Sequence, residues 1–341
     1  MRKCSFDSLD AVFELLSAKM PVYLPVDGKS GAFYKKWEKG DKYSTALNTT
    51  RSAKDFFFPQ SENMMDFKTE GKTIEVIDTR EDIGNFIIFG VRPCDAKSFE
   101  ILDRVFLTEP CDSFYKNKRE NATVITMACG RPSETCFCNA FGIDAAGKVG
   151  DVSCVISDGE VYFEAVTEKG EKFISEIEKV TEDTDNKKAE AEREKIRGYI
   201  KKLPLSNLDT SSFGAGKTDE FFGSEKWEEL SKNCLGCGTC TFVCPTCQCY
   251  DIKDFNTGHA VKRFRCWDSC MYSDFTKMAH GNPRLTQKER FRQRFMHKLV
   301  YFPENNEGIF GCVGCGRCLI KCPISMNIVK VMKTLGGEDN E

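Results

Sequence analysis

Two cysteine strings constrain this chain more than anything else in it. The first reads Cys234-Leu-Gly-Cys237-Gly-Thr-Cys240-Thr-Phe-Val-Cys244-Pro245, the second Cys312-Val-Gly-Cys315-Gly-Arg-Cys318-Leu-Ile-Lys-Cys322-Pro323. Both follow C-x2-C-x2-C-x3-C-P, a spacing that suits [4Fe–4S] clusters: three thiolates wrap one cube and the Cys before Pro reaches the other. The expected ligand sets are therefore Cys234, Cys237, Cys240 with Cys322, and Cys312, Cys315, Cys318 with Cys244. Glycines beside the ligands allow turns that other residues resist, and the prolines end each run. Structural zinc would ask for two separated pairs of ligands. A crowded run of four, repeated with its trailing proline, fits a cubane better.

The chain has 341 residues, enough for two domains with a real core. At 40% hydrophobic and 30% charged it has a globular composition. A net charge of -3 gives no global basic field for nucleic acid. No apolar run approaches a membrane span. Met1-Arg2-Lys3 is followed by Asp7, Asp10 and Glu14, which leaves no apolar stretch for export. Nineteen cysteines in a chain this long do not suggest a small secreted disulfide scaffold. The expectation is a reducing cytoplasm in an organism that lives without oxygen.

The first half of the chain reads as α/β. Residues 5–20 space Leu9, Val12, Phe13, Leu15 and Leu16 as a helix does. A short strand, PVYLPVD, follows. Residues 28–66 read as irregular, with Phe56-Phe57-Phe58-Pro59 as a loop plugging a core. TIEVIDT (73–79) alternates like a strand. Asn85–Val91 is a continuous apolar run, as in a strand buried on both faces. It ends at Arg92-Pro93-Cys94-Asp95, and a helix through Phe106 follows. A second buried strand, 122–128, ends at Cys129-Gly130. Strand, turn, helix, strand is the unit of a doubly wound sheet, whose ligands sit beyond the carboxyl ends of the strands. Cys94 and Cys129 both fall there, and Cys136-Phe137-Cys138 comes just after. Cys94, Cys129, Cys136 and Cys138 are thus candidates for a third [4Fe–4S] cluster. Buried free thiols, a single metal or a redox dithiol are the alternatives.

Residues 151–180 read as strands with an acidic tail. Residues 182–202 read as a charged, solvated connector helix. Gly214-Ala-Gly-Lys217-Thr218 lacks the first glycine of a phosphate loop and reads as linker. The expected domains are an α/β unit (1–181), a charged connector (182–226), and an all-α, ferredoxin-like dicluster domain (227–341). Within the last, Cys247, Cys249 and Cys270 are three thiols without a clear fourth. Residues 284–300 form a basic amphipathic helix in which Arg290, Arg292 and Arg294 alternate with Phe291 and Phe295. Its basic face suits neutralising thiolate-ligated clusters, docking an acidic partner, or simple solvation. His280 and His297 read as structural rather than as ligands.

Taken together, Ile87–Phe106, Cys129–Gly142, Cys234–Asp251 (CLGCGTCTFVCPTCQCYD), Trp267–Cys270, Gly281–Arg284 and the final GCVGCGRC resemble a known family. It comprises the iron–sulfur beta subunits of cytoplasmic sulfhydrogenases and the corresponding iron–sulfur subunits of anaerobic sulfite reductases. The matching stretches are spread over nearly the whole chain. The resemblance implies a non-catalytic electron-transfer subunit in a hetero-oligomer. Its partners would be a catalytic oxidoreductase subunit, together with an NAD(P)H-oxidising flavoprotein subunit. It also marks Cys247, Cys249 and Cys270 as part of the family's pattern, and leaves Cys4, Cys111, Cys154 and Cys266 outside it. Two rivals remain at this point: a catalytic subunit that reduces a sulfur compound at the N-terminal cysteines, and an iron–sulfur nucleic-acid-binding protein.

Overall fold

The apolar run at 86–91 forms the strand on which the main sheet is built, and every residue of it is buried. The computed structural model describes residues 1–80, 83–258 and 260–337. Twelve strands are found among the described residues: β1 (Arg2–Ser5), β2 (Val22–Val26), β3 (Phe33–Lys36), β4 (Ser61–Glu70), β5 (Thr73–Asp78), β6 (Phe86–Val91), β7 (Ala122–Met127), β8 (Val152–Ser157), β9 (Glu160–Ala165), β10 (Glu182–Asp183), β11 (Tyr250–Asn256) and β12 (Ala260–Trp267). Eight of them make one sheet in the order β10-β1-β9-β8-β7-β6-β2-β3. β2, β6, β7 and β8 run parallel. The outer strands are antiparallel.

Alternation assigns the two faces. Ile87, Phe89, Ile125 and Met127 pack with Val12, Phe13 and Leu16 of the helix Leu9–Ser17. Ile88 and Val124 pack on the other side with Phe99 and Leu102 of the helix Pro93–Phe106. Phe57 and Phe58 plug that second core, as their sequence suggested. Val91 pairs with Thr126, so β6 and β7 deliver their carboxyl ends side by side. This placement brings Cys94 and Cys129 to one edge of the sheet.

The expected fold class needs two corrections. The sheet is mixed rather than a parallel doubly wound one. The C-terminal part is not all-α: β11 and β12 lie between the two cysteine strings. β12 pairs with β4 of the N-terminal half, so that β11-β12-β4-β5 form a second sheet. Arg265 of β12 anchors it. Its guanidinium is buried, paired with Glu62 at 2.6 Å and with Asp112, and lies against the rings of Phe58 and Tyr250. Nor is the charged helix Lys187–Ile200 a solvated connector. Ala189, Arg193, Ile196 and Ile200 are buried, and Arg193 donates to the carbonyl of Ala146 and the hydroxyl of Ser153.

The second string is tied to the main sheet by one buried ion pair. Arg317, between Cys315 and Cys318, makes two parallel contacts of 2.6 and 2.7 Å to Asp95, which follows Cys94. Both side chains are almost wholly buried, at 3% and 1% exposure. Arg317 also donates to the carbonyl of Thr49 at 3.1 Å. Removing one partner leaves the other charge buried and unanswered. Asp95→Asn should therefore cost about 3–5 kcal/mol in anaerobic denaturant unfolding; an unchanged midpoint would show that the pair is dispensable.

Candidate metal centres

The two strings fold as repeats of one unit. Gly236 and Gly314 take positive φ (64° and 58°), and each donates its N–H to the sulfur two residues earlier, Cys234 or Cys312, at 3.5 Å. Gly238 and Gly316 (φ 72° and 75°) then start the short helices Thr239–Phe242 and Arg317–Lys321. Only glycine enters these turns without strain. The two short helices pack on each other. This brings the end of each string towards the start of the other.

Cys244, Cys312, Cys315 and Cys318 line a single cavity together with Phe137, Arg294 and Lys298. These are the four cysteines that the crossed pattern groups. Cys94, Cys129, Cys136 and Cys138 line a second cavity, closed on its far side by Gly314 and Cys315. The two spaces are alike in size, and Cys315 borders both. The walls are tight. A Cβ on Gly314 would sit 2.4 Å from the carbonyl oxygen of Phe137, and one on Gly316 2.6 Å from that of Thr135. Phe137 in turn donates its N–H to Gly314 at 2.9 Å. The remaining set is more open. Cys234 accepts from Gln287 at 3.4 Å, Cys237 is exposed, and Cys234 and Cys322 pack on the core of Phe291, Phe295 and Met332.

Burial pushes these thiols up: Cys129 to about 11, Cys138 and Cys315 to about 12. Cys94 and Cys318 are raised by the same cause. Buried thiols of this kind give up their protons to a metal rather than to water. The surrounding charge favours an anionic occupant. Lys298 is buried, as are Arg294 and Lys54, and among the described residues none has a carboxylate at ion-pair distance. Burial would lower the Lys298 ammonium, yet Cys244, Cys247 and Cys312 hold it above its ordinary range. Arg294 is likewise raised against burial by Cys240, Cys318, Cys247 and Cys244. Its Nε and Nη1 are buried without a hydrogen-bond partner while its side chain lines the cavity. Unanswered buried cations cost several kcal/mol each. A thiolate-ligated cluster is the donor-matched group that would answer them.

Arg294 alone of the three alternating arginines takes this role. Arg290 donates to the carbonyls of Arg284 and Leu285, and Arg292 lies over the ring of Phe222 at 3.7 Å. His297 is half-buried against Phe302, its pKa lowered to about 4 chiefly by burial, and His280 lies on an exposed turn. Cys247 donates to Cys244 and holds it below the usual thiol range. Cys249 is lowered to about 7, chiefly by its hydrogen bond from Cys270. Cys247 thus borders the first string, while Cys249 and Cys270 pair with each other. Cys4 and Cys154 fill the core of the main sheet. Thr246, Lys54 and the Arg317–Asp95 pair carried no signal in the sequence.

Comparison with known proteins agrees with this geometry. Residues 233–326 match the 4Fe-4S dicluster domain, so two clusters belong to this stretch. The chain is 33% identical over 318 residues to the sulfhydrogenase 2 subunit beta of Pyrococcus furiosus, covering 91% of each chain. It belongs to the family of sulfhydrogenase beta subunits. No solved structure matches it. Among the described residues no helix is long and apolar enough to cross a membrane. In this member of the sulfhydrogenase beta-subunit family, the dicluster stretch is interrupted by β11 and β12, which join it to the N-terminal half.

The shared wall gives a direct test. Gly314→Ala should push the second string off Phe137 and lower the iron bound per chain. Gly198→Ala, where an added Cβ meets nothing within 4 Å, should leave iron unchanged. Equal iron in both variants would show that the two cavities do not depend on this contact.

Proposed function

We propose that this chain is the electron-transfer subunit of a multi-subunit oxidoreductase, relaying electrons between an NAD(P)H-linked flavoprotein subunit on one side and a catalytic subunit on the other. The ligand sets are Cys234, Cys237, Cys240 with Cys322; Cys312, Cys315, Cys318 with Cys244; and Cys94, Cys129, Cys136 with Cys138 for a third [4Fe–4S] cluster. Such clusters, when bound, take up and release one electron at a time. The observation that carries this reading is the row of neighbouring thiol sites, two of which share Cys315.

The chain's own residues supply the rest. Arg294 and Lys298 answer negative charge on one side, and Arg92 braces the quartet by donating to the carbonyls of Ala46, Leu47, Met127 and Ala128. The open end lies at the first string. There Cys237 is exposed, and so is the apolar side chain of Leu235 two residues before it (66% exposed). Such a rim suits a docked partner subunit. A hetero-oligomer in the cytoplasm is the setting that fits.

A second reading has one observation in its favour. A cavity at the carboxyl ends of the parallel strands, lined by Tyr43, Arg92, Ala128, Gly130 and Arg131, adjoins Cys129. A small sulfur compound reduced there would make the chain catalytic. The relay reading supports no such turnover.

Three measurements test the relay reading, and the last of them separates it from the catalytic one. Anaerobically purified protein should hold about twelve irons for three cubanes, or about eight for two; Cys94→Ser with Cys136→Ser should remove about four. Cys322→Ala should damage the cluster of Cys234, Cys237 and Cys240, and Cys244→Ala that of Cys312, Cys315 and Cys318, as two distinguishable spectra would record. Damage confined to each variant's own string would show uncrossed ligation. The isolated chain should neither oxidise NAD(P)H nor reduce sulfur compounds, but its clusters should be reduced by NAD(P)H once a flavoprotein subunit is added. Turnover by the chain alone would overturn the relay.

A further inference from the structure

We propose that Lys298, presented by a π turn and held between Gly311 and Thr246 beside Cys244, sets the reduction potential of the cluster held by Cys312, Cys315, Cys318 and Cys244. This rests on the cluster reading above and assigns a positioning residue to it.

The cause begins in the sequence at Pro303. A proline has no N–H to return to the preceding turn. The helix Gln287–Met296 accordingly widens into a π turn at His297–Tyr301 before resuming at Phe302–Asn305. Single π turns of this kind recur at functional sites. Here the carbonyls freed from the helix are taken by outside donors. Lys298 O accepts from the Gly311 N–H at 2.9 Å, and Leu299 O from that of Gly214 at 2.9 Å.

The side chain of Lys298 then closes on the same glycine. Its Nζ donates to Gly311 O at 2.9 Å and to Thr246 Oγ1 at 2.7 Å. Thr246 Oγ1 lies 3.2 Å from the sulfur of Cys244 and also donates to Gly311 O at 2.7 Å. Gly311 immediately precedes Cys312, and Thr246 follows Cys244 by two residues. One ammonium therefore grips both segments of the crossed ligand set.

Lys298 is 4% exposed and lines the cavity that those four cysteines ring. Its hydrogen bonds go to uncharged oxygens, so its charge is answered only by the thiol side. Uptake of an electron adds negative charge at this place. A desolvated cation beside it stabilises the reduced form more than the oxidised one and raises the potential. Arg294, one turn earlier on the same face, adds to the same field.

The test is an EPR-monitored redox titration of the full, anaerobically purified chain, following the signal that Cys312→Ser abolishes. Lys298→Gln should keep the iron content, shift that midpoint to more negative potential, and move the other clusters less. Thr246→Val keeps the charge and removes only one of its hydrogen bonds, and should move the same midpoint less than Lys298→Gln does. If Lys298→Gln retains iron with an unmoved midpoint, Lys298 is a structural clamp only and the proposal fails. Should Lys298→Gln not assemble, Lys298→Met, which removes the same charge with a side chain of similar length, decides by shift or no shift. A wild-type chain without iron would instead remove the cluster reading itself, an outcome separate from these.

Discussion

Buried positive charge has to be answered by buried negative charge, and the middle of this chain is arranged around that requirement. Among the described residues Lys54, Arg294 and Lys298 are buried with no carboxylate at ion-pair distance, and nearby thiols favour the charge of each. Arg317 is the complementary case: its charge is met by Asp95 in a bidentate pair, so it serves as a fastener. Apoprotein would hold the three unanswered cations at a cost of several kcal/mol each. Metal binding and folding of this region are therefore one process. The residues between the strings, with β11 and β12, are held in the same process because both ends of that segment are proposed ligands.

Order along the molecule follows from the fold. The parallel strands β6 and β7 deliver Cys94 and Cys129 to one edge, and the loop to Ala145 folds back to add Cys136 and Cys138. The second string packs onto that loop through Gly314 and Gly316, where no side chain fits. The first string packs onto the second through their short helices and ends at the exposed Cys237. A buried quartet, a shared wall and an exposed end make a sequence of sites that opens at the surface.

The sequence made some of this plain and hid the rest for physical reasons. β6, β7 and the helix after Pro93 were legible because a strand buried on both faces needs an unbroken apolar run, and Pro93 starts a helix well. The cysteine strings were legible because cluster ligation fixes spacing. β11 was not: all seven of its residues are exposed, so no buried face imposes an alternation on it. Its neighbour β12 pairs with β4, far away in the chain, which local pattern cannot reveal. The helix Lys187–Ile200 buries Ala189, Arg193, Ile196 and Ile200 at helical spacing, but charged residues on the other faces outnumber them. Lys54 was hidden because its burial depends on Trp267, whose ring it covers at 3.6 Å from a distant strand.

The central claim is that the N-terminal quartet and the second string hold neighbouring clusters separated by little more than Cys315. Electron spins on adjacent reduced clusters interact, so the direct measurement is EPR of the fully reduced, anaerobic chain at low temperature. The account predicts split, broadened signals from interacting clusters, which collapse to simpler ones when Cys94 and Cys136 are replaced by Ser. Simple, non-interacting signals in the wild type, unchanged by those substitutions, would contradict it.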